Sequence, residues 1–141
     1  MTDLRRLFDD LVRVEIVLWD AVDRRLRAEL DLPLGRFEAL QAVAGTPTAR
    51  VQDVADSMAI TVGAASKLVD RLEAGGLCER RAHPADRRSS AIVLTAPGRR
   101  VLDAAAALVD DELTQRLDGL GAGDVRDLAA LLGATRRMLG R

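Results

Sequence analysis

From Leu4 onward, apolar side chains return at Leu4, Leu7, Phe8, Leu11, Val14, Leu18, Ala21, Val22 and Leu26. This spacing of threes and fours predicts one long amphipathic helix of about seven turns. Ile16, Val17 and Trp19 widen the stripe in its middle. A helix that is apolar on more than one side has to be covered on more than one side. A chain of 141 residues has little mass to spare for that, so a second copy of the chain is the economical cover. Pro33 and Gly35 mark the next boundary. Phe37, Leu40 and Val43 then make a short second helix, which stops at Gly45, Thr46 and Pro47.

The stretch RVQDVADSMAITVGAASKLVDRLEAGG reads as two helices sharing a tight turn. Val54, Ala55 and Met58 face inward on the first, Ala59 and Ile60 form the turn, and Ala65, Leu68, Val69 and Leu72 face inward on the second. Thr61 is placed to cap the second helix, although no capping-box Glu follows it, and Gly75 with Gly76 ends it. Small residues at Ala55 and Ala65 let the two helices cross closely near a right angle, the packing demand of a helix-turn-helix. Two short segments with strand-forming residues follow, LCERRAH and SSAIVLT, flanking PADRR. Pro84 and Asp86 supply the turn, giving a hairpin with a basic tip. Thr95 and Pro97 open a further helix with Val101, Leu102, Ala105, Leu108, Val109 and Leu113 on one face. A break between Gly119 and Gly123 leads to a last helix carrying Val125, Leu128, Leu131, Leu132 and Leu139.

Charge sharpens this picture. Residues 1–60 hold 8 Arg against 11 acids, a net of -3; residues 61–100 hold 7 Arg and Lys67 against 4 acids, a net of +4; residues 101–141 hold 5 Arg against 7 acids, a net of -2. The whole chain is therefore at -1, with its positive charge gathered in the middle, which points to a polyanion as the partner of that segment alone. One His, one Cys, one Lys and no Tyr are a thin stock for catalysis, so an enzyme is not expected, and no cofactor or metal is expected either. His83 reads as a surface residue of the hairpin, because no second His and no Cys stands at ligand spacing. Cys78 reads as a small buried apolar residue. Trp19 fits core or dimer interface better than the lining of a ligand cleft. The N-terminal segment carries acids inside its apolar part and has no uncharged run long enough for a signal or a membrane span; the expectation is a cytoplasmic protein with no membrane partner.

The helix after the tight turn offers Thr61, Gly63, Ala64, Ser66, Lys67, Asp70 and Arg71 on its outer face. Small and hydroxyl groups at its start let it enter a major groove of double-stranded DNA. There Ser and Thr bond bases or phosphates, and the methyls of Val62 or Ala64 can touch a thymine. In the hairpin, Arg87 and Arg88 at the tip, with Arg80, Arg81 and His83 on the flanking strands, suit backbone phosphates or a narrow minor groove. Asp86 sits among these arginines as a carboxylate able to hold a guanidinium fork and aim it.

The run SMAITVGAASKLVDRLEAGGLCERRAHPADRRSSAIVLTAPGRRVL resembles the multiple antibiotic resistance regulator (MarR) family of winged-helix transcription factors. The most specific parts are LVDRLEAGGL followed by ERR, then Asp86, Arg87 and Arg88 with Leu94, Thr95 and Gly98 behind them. The resemblance implies a mainly α fold with a small β-hairpin wing, and a homodimer joined by its N- and C-terminal helices. Each subunit would lay a recognition helix, about Thr61 to Ala74, in a major groove and a wing, about Arg80 to Val93, in the adjacent minor groove. By position Asp86 and Arg88 look like the family's wing pair. Many relatives release DNA when a small, often phenolic, ligand binds between the two regions, so a small-molecule effector is expected. Peroxide-sensing relatives carry their reactive cysteine in the first helix; this chain has none there, and Cys78 does not inherit the role. The expected division is a dimerisation helix in 1–32, a winged helix-turn-helix domain in 33–100 and dimerisation helices in 101–141. The expected function is a homodimeric, sequence-specific regulator acting as a ligand-released repressor on a pseudo-palindromic operator. The alternative is a winged-helix module whose basic face binds protein.

Overall fold

A computed structural model describes residues 1–86 and 88–140. The first helix, α1 (Leu4–Leu30), starts at Asp3, whose carboxylate accepts from the backbone amides of Arg5 at 3.0 Å and Arg6 at 3.3 Å. Those are two of the amides that a helix leaves without partners, so the start is fixed locally. Only the C-terminal part of α1 reaches the core, through Ala21, Val22 and Leu26; Leu4, Leu7, Phe8, Val14 and Val17 stay exposed. Helix α2 (Leu34–Gly45) is the central element and buries Leu34, Phe37, Ala39, Leu40, Ala42 and Val43. Its start is tied to α1 by Asp23, whose Oδ1 accepts from the Leu34 amide at 2.9 Å. That bond, with help from Arg27, holds the Asp23 carboxyl below the usual carboxylate range.

Helices α3 (Val51–Met58) and α4 (Val62–Ala74) are joined by Ala59, held at φ 54 in the left-handed region, with the Ile60 amide donating to the Ala55 carbonyl at 3.0 Å. A non-glycine residue pays about 1 kcal/mol for that conformation. Packing of Val54, Ala55, Ala65 and Val69, all fully buried, over-determines the turn. Strands β1 (Cys78–Ala82) and β2 (Ser90–Leu94) form an antiparallel hairpin in which Cys78 faces Leu94, Arg80 faces Ile92 and Ala82 faces Ser90. An isolated bridge that the sequence pattern does not announce adds Ala49 to the other edge of β2, the Ile92 amide donating to the Ala49 carbonyl at 2.8 Å. His83 lies just past β1, not on a strand.

Helix α5 (Ala96–Arg116) packs along α1 and begins against the junction of α4 and β1. Thr95 caps it: its Oγ1 accepts from the Gly98 amide at 3.0 Å and donates to the Gly76 carbonyl at 2.6 Å, while its amide donates to the Leu77 carbonyl at 3.1 Å. Gly98 is required there, because a Cβ at that position would lie 1.8 Å from the Leu77 carbonyl oxygen. On the α1–α5 seam, Arg25 bridges Asp111 at 2.8 Å and the buried Glu112 at 3.2 Å, and Arg116 meets Glu112 at 3.0 Å. The last helix, α6 (Ala122–Met138), buries none of its residues and exposes Leu128, Leu131, Leu132 and Met138; Leu139 falls at its cap.

Candidate nucleic-acid interface

The outer face of α4 is open. Thr61, Val62, Gly63, Ala64, Lys67, Asp70 and Arg71 are exposed and Ser66 is half-buried, while Ala65, Val69 and Leu72 anchor the opposite face. Thr61 caps the helix as expected, its Oγ1 accepting from the Ala64 amide at 3.1 Å, which leaves its own proton free to donate outward. The helix start also carries the positive end of the macrodipole, which favours an anion. Gly63 stands at the second helical position with nothing within 4 Å of the place a Cβ would take. Packing within the chain does not ask for a glycine there, and glycine lowers helix stability. Among the described residues, neither Lys67 nor Arg71 joins an ion pair.

The wing is fastened to α4 by Arg80. Its guanidinium meets Asp70 at 2.7 Å and Glu73 at 3.1 Å, and its amide donates to Glu73 at 3.0 Å. Arg80 therefore braces β1 against the recognition helix instead of standing free with the tip cations. Asp70, which looks out of place on a DNA-facing helix, is explained by this brace. Arg81 pairs with Glu79 on its own strand.

At the tip, Arg88 is exposed, and Asp86 Oδ1 accepts from the Arg88 backbone amide at 2.9 Å. Among the described residues, Asp86 thus positions Arg88 through the main chain rather than by gripping a guanidinium fork. Arg87 lies outside the described residues. His83 Nδ1 accepts from the Ala85 amide at 3.1 Å and lies 3.3 Å from Arg50 Nη2. Two donors converging on Nδ1 assign the ring proton to Nε2. Arg50, at the start of α3, is a further cation at the base of the wing that sequence reasoning missed. It is 33 residues from His83, and no local pattern connects them. Cys78 is buried beneath the hairpin, and burial, with the nearby Glu73, pushes its thiol up to about 11, so it stays protonated and unreactive.

Away from this face, a cleft of about 470 Å³ opens between α1, α2 and α5, with Trp19 on one wall and Phe37 on another. No helix among the described residues is long and apolar enough to cross a membrane, and no group of three or more metal-ligating side chains is found among them.

A tight left-handed turn into an open helix, and a braced hairpin with a cationic tip beside it, define a winged helix-turn-helix protein of the DNA-binding class. The sequence model of the MarR family matches residues 30–89. The transcriptional regulator HosA of Escherichia coli O111:H- is 30% identical over 92 residues, spanning 63% of this chain and 68% of HosA. The chain belongs to the MarR family, a family of transcriptional regulators. Solved structures agree. CouR from Rhodococcus jostii RHA1, bound to p-coumaroyl-CoA, superposes with a TM-score of 0.80 at 28% identity over 89% of this chain and 87% of its own. Sco3205 from Streptomyces coelicolor, a MarR family regulator in complex with DNA, superposes at 0.85 with 25% identity over 97% of this chain and 88% of its own.

Proposed function

We propose that the chain acts as a cytoplasmic homodimer that represses transcription from a pseudo-palindromic operator and is released by a small molecule, without catalytic activity of its own. The observation that carries the DNA reading is the start of α4, exposed from Thr61 to Ala64 and open above Gly63, beside a wing braced to the same helix by Arg80. In this reading Thr61, Val62, Gly63, Ala64 and Ser66 meet base edges, and Lys67 and Arg71 meet phosphates. Asp86 shapes the tip that presents Arg87 and Arg88 to the minor groove, His83 and Arg50 support its base, and Arg80 sets its angle. Segments 1–32 and 101–141 form the dimer region around the winged domain of 33–100. The support is the exposed apolar surface on α1 and α6, where Leu4, Phe8, Leu131 and Met138 are each at least 67% exposed in the single chain.

The cleft between α1, α2 and α5 lies between these regions and is the natural place for the effector; CouR, which shares the fold, was solved with an acyl-CoA bound. Competition binding of the purified dimer against genomic fragments tests the proposal. Enrichment of a few fragments that resist excess random DNA is expected. Equal, sequence-blind affinity for all fragments points instead to a protein-binding module.

A further inference from the structure

We propose that the cleft between α1, α2 and α5 takes an amphiphilic organic cation, such as an aromatic amine or a quaternary ammonium or phosphonium compound, as the releasing ligand. This rests on the reading of that cleft as the effector site. Its floor is apolar, formed by Val22, Phe37, Val109 and Leu113, and its volume of about 470 Å³ suits a compact organic molecule. The charge on its rim is of one sign only: Glu15, Glu38 and Asp110 line it, and no Lys, Arg or His does.

Elsewhere on these helices most acids are matched, with Asp10 on α1 and Asp103 on α5 the exceptions among the described residues. Asp20 meets Arg24, Asp23 meets Arg27 and Glu112 meets Arg116. Among the described residues, none of the three cleft carboxylates is in an ion pair. The cation nearest in effect to Glu38 is Arg136, and its guanidinium donates to the Ser57 carbonyl at 3.0 Å. Burial raises the Glu38 carboxyl above its usual range, so its charge stands where solvent stabilises it poorly, and a cation in the cleft restores that stabilisation. Trp19, 42% exposed at the cleft wall, adds an indole face, the best aromatic surface for a cation. An anion entering the same space meets three carboxylates and no donor cation. The acyl-CoA that CouR carries is therefore the wrong sign for this cleft.

Trp19 is the chain's single tryptophan and stands in the cleft wall, so its fluorescence reports occupancy directly. The probes are tetraphenylphosphonium and tetraphenylborate, which share size and shape and differ in charge. Titrated into the intact dimer, the phosphonium is expected to change Trp19 emission saturably and to bind at least about tenfold more tightly than the borate. Glu38→Gln and Asp110→Asn should each weaken the phosphonium by about tenfold and leave the borate equal or tighter. Thermal unfolding of both variants verifies that they fold. The phosphonium should also release bound operator at the concentrations that fill the cleft.

Tighter borate binding, unchanged phosphonium affinity in both variants, or a filled cleft with the operator still bound each overturns the proposal. Operator affinity measured without any probe keeps the two readings apart. A dimer that binds no operator yet prefers the phosphonium through Glu38 and Asp110 refutes the regulator reading, not the charge preference of the cleft.

Discussion

Gly63 and Gly98 each stand in the first turn of a helix, and the same substitution to alanine is expected to act on them with opposite sign. At Gly98 the new Cβ falls 1.8 Å from the Leu77 carbonyl oxygen and 2.8 Å from its carbon. Relief requires the start of α5 to retreat by about 1.7 Å, since non-bonded atoms settle near 3.5 Å. That motion pulls directly on the Thr95 amide bond to Leu77 and the Thr95 hydroxyl bond to Gly76, the contacts that seat α5 behind the wing. The loss should be ~3 kcal/mol, at the upper end of overpacking costs because the obstacle is backbone. For a domain of this size it should appear as a fall of ~10 °C in Tm at fixed protein concentration. At Gly63 nothing stands within 4 Å of the new methyl, so Gly63→Ala should raise stability by ~0.5–1 kcal/mol through helix propensity alone. If α4 enters the groove by its start, the same methyl should weaken operator binding by about tenfold, ~1.4 kcal/mol, by holding the helix off the base edges. Thermal circular dichroism and operator titration of both variants read the two effects. A Gly98→Ala protein melting within ~2 °C of the parent refutes the packing argument. A Gly63→Ala protein with undiminished operator affinity refutes the close approach of α4 to DNA.

Arg88→Ala should weaken binding to operator and random DNA alike and reduce the salt slope by about one unit per lost phosphate contact, ~2 per dimer; titrations at several salt concentrations check this, and a loss confined to the operator would assign Arg88 to base readout. Leu131→Asp places a charge on the exposed apolar face of α6 and should shift the dimer to monomer or aggregate in sedimentation, whereas an unchanged dimer would remove α6 from the interface. Glu112 is held below its usual range by Arg116 and then by Arg25, so its contribution to stability is present above the unfolded carboxyl value of about 4.3 and fades as pH falls through the lower folded value. Denaturation midpoints of Glu112→Gln should accordingly fall below the parent's at pH 7 and approach them as acid protonates the folded carboxyl; a gap that stays constant from neutral to acidic pH would contradict the linkage.

The long first helix, the tight turn at Ala59 and Ile60, the cap at Thr61 and the hairpin were legible because each rests on local periodicity or local turn chemistry. The open apolar stripes of α1 and α6 were legible for the same reason. What the sequence hid depends on residues distant in the chain. The bridge from Ala49 to Ile92 joins the hairpin to a segment with no strand pattern, and Arg50 reaches His83 across 33 positions. The pairing of Arg80 with Asp70 and Glu73 turns an apparent phosphate contact into a brace, since its composition looks the same in either role. Asp86 reads from sequence as a carboxylate holding a guanidinium fork; in the structure its contact with Arg88 runs through the backbone amide, which no charge pattern reveals. Gly98 entered only through resemblance; its physical reason, the carbonyl of Leu77 beneath α5, exists only once the chain is folded.

Hydroxyl-radical footprinting of the dimer on a fragment selected from genomic competition shows whether two recognition helices and two wings read one operator. Two protected half-sites about one helical turn apart, related by a dyad and each flanked by minor-groove protection that Arg88→Ala removes, are predicted. A single unsymmetrical patch, or protection that persists unchanged without the wing arginine, would contradict a dimer reading DNA with paired recognition helices and wings.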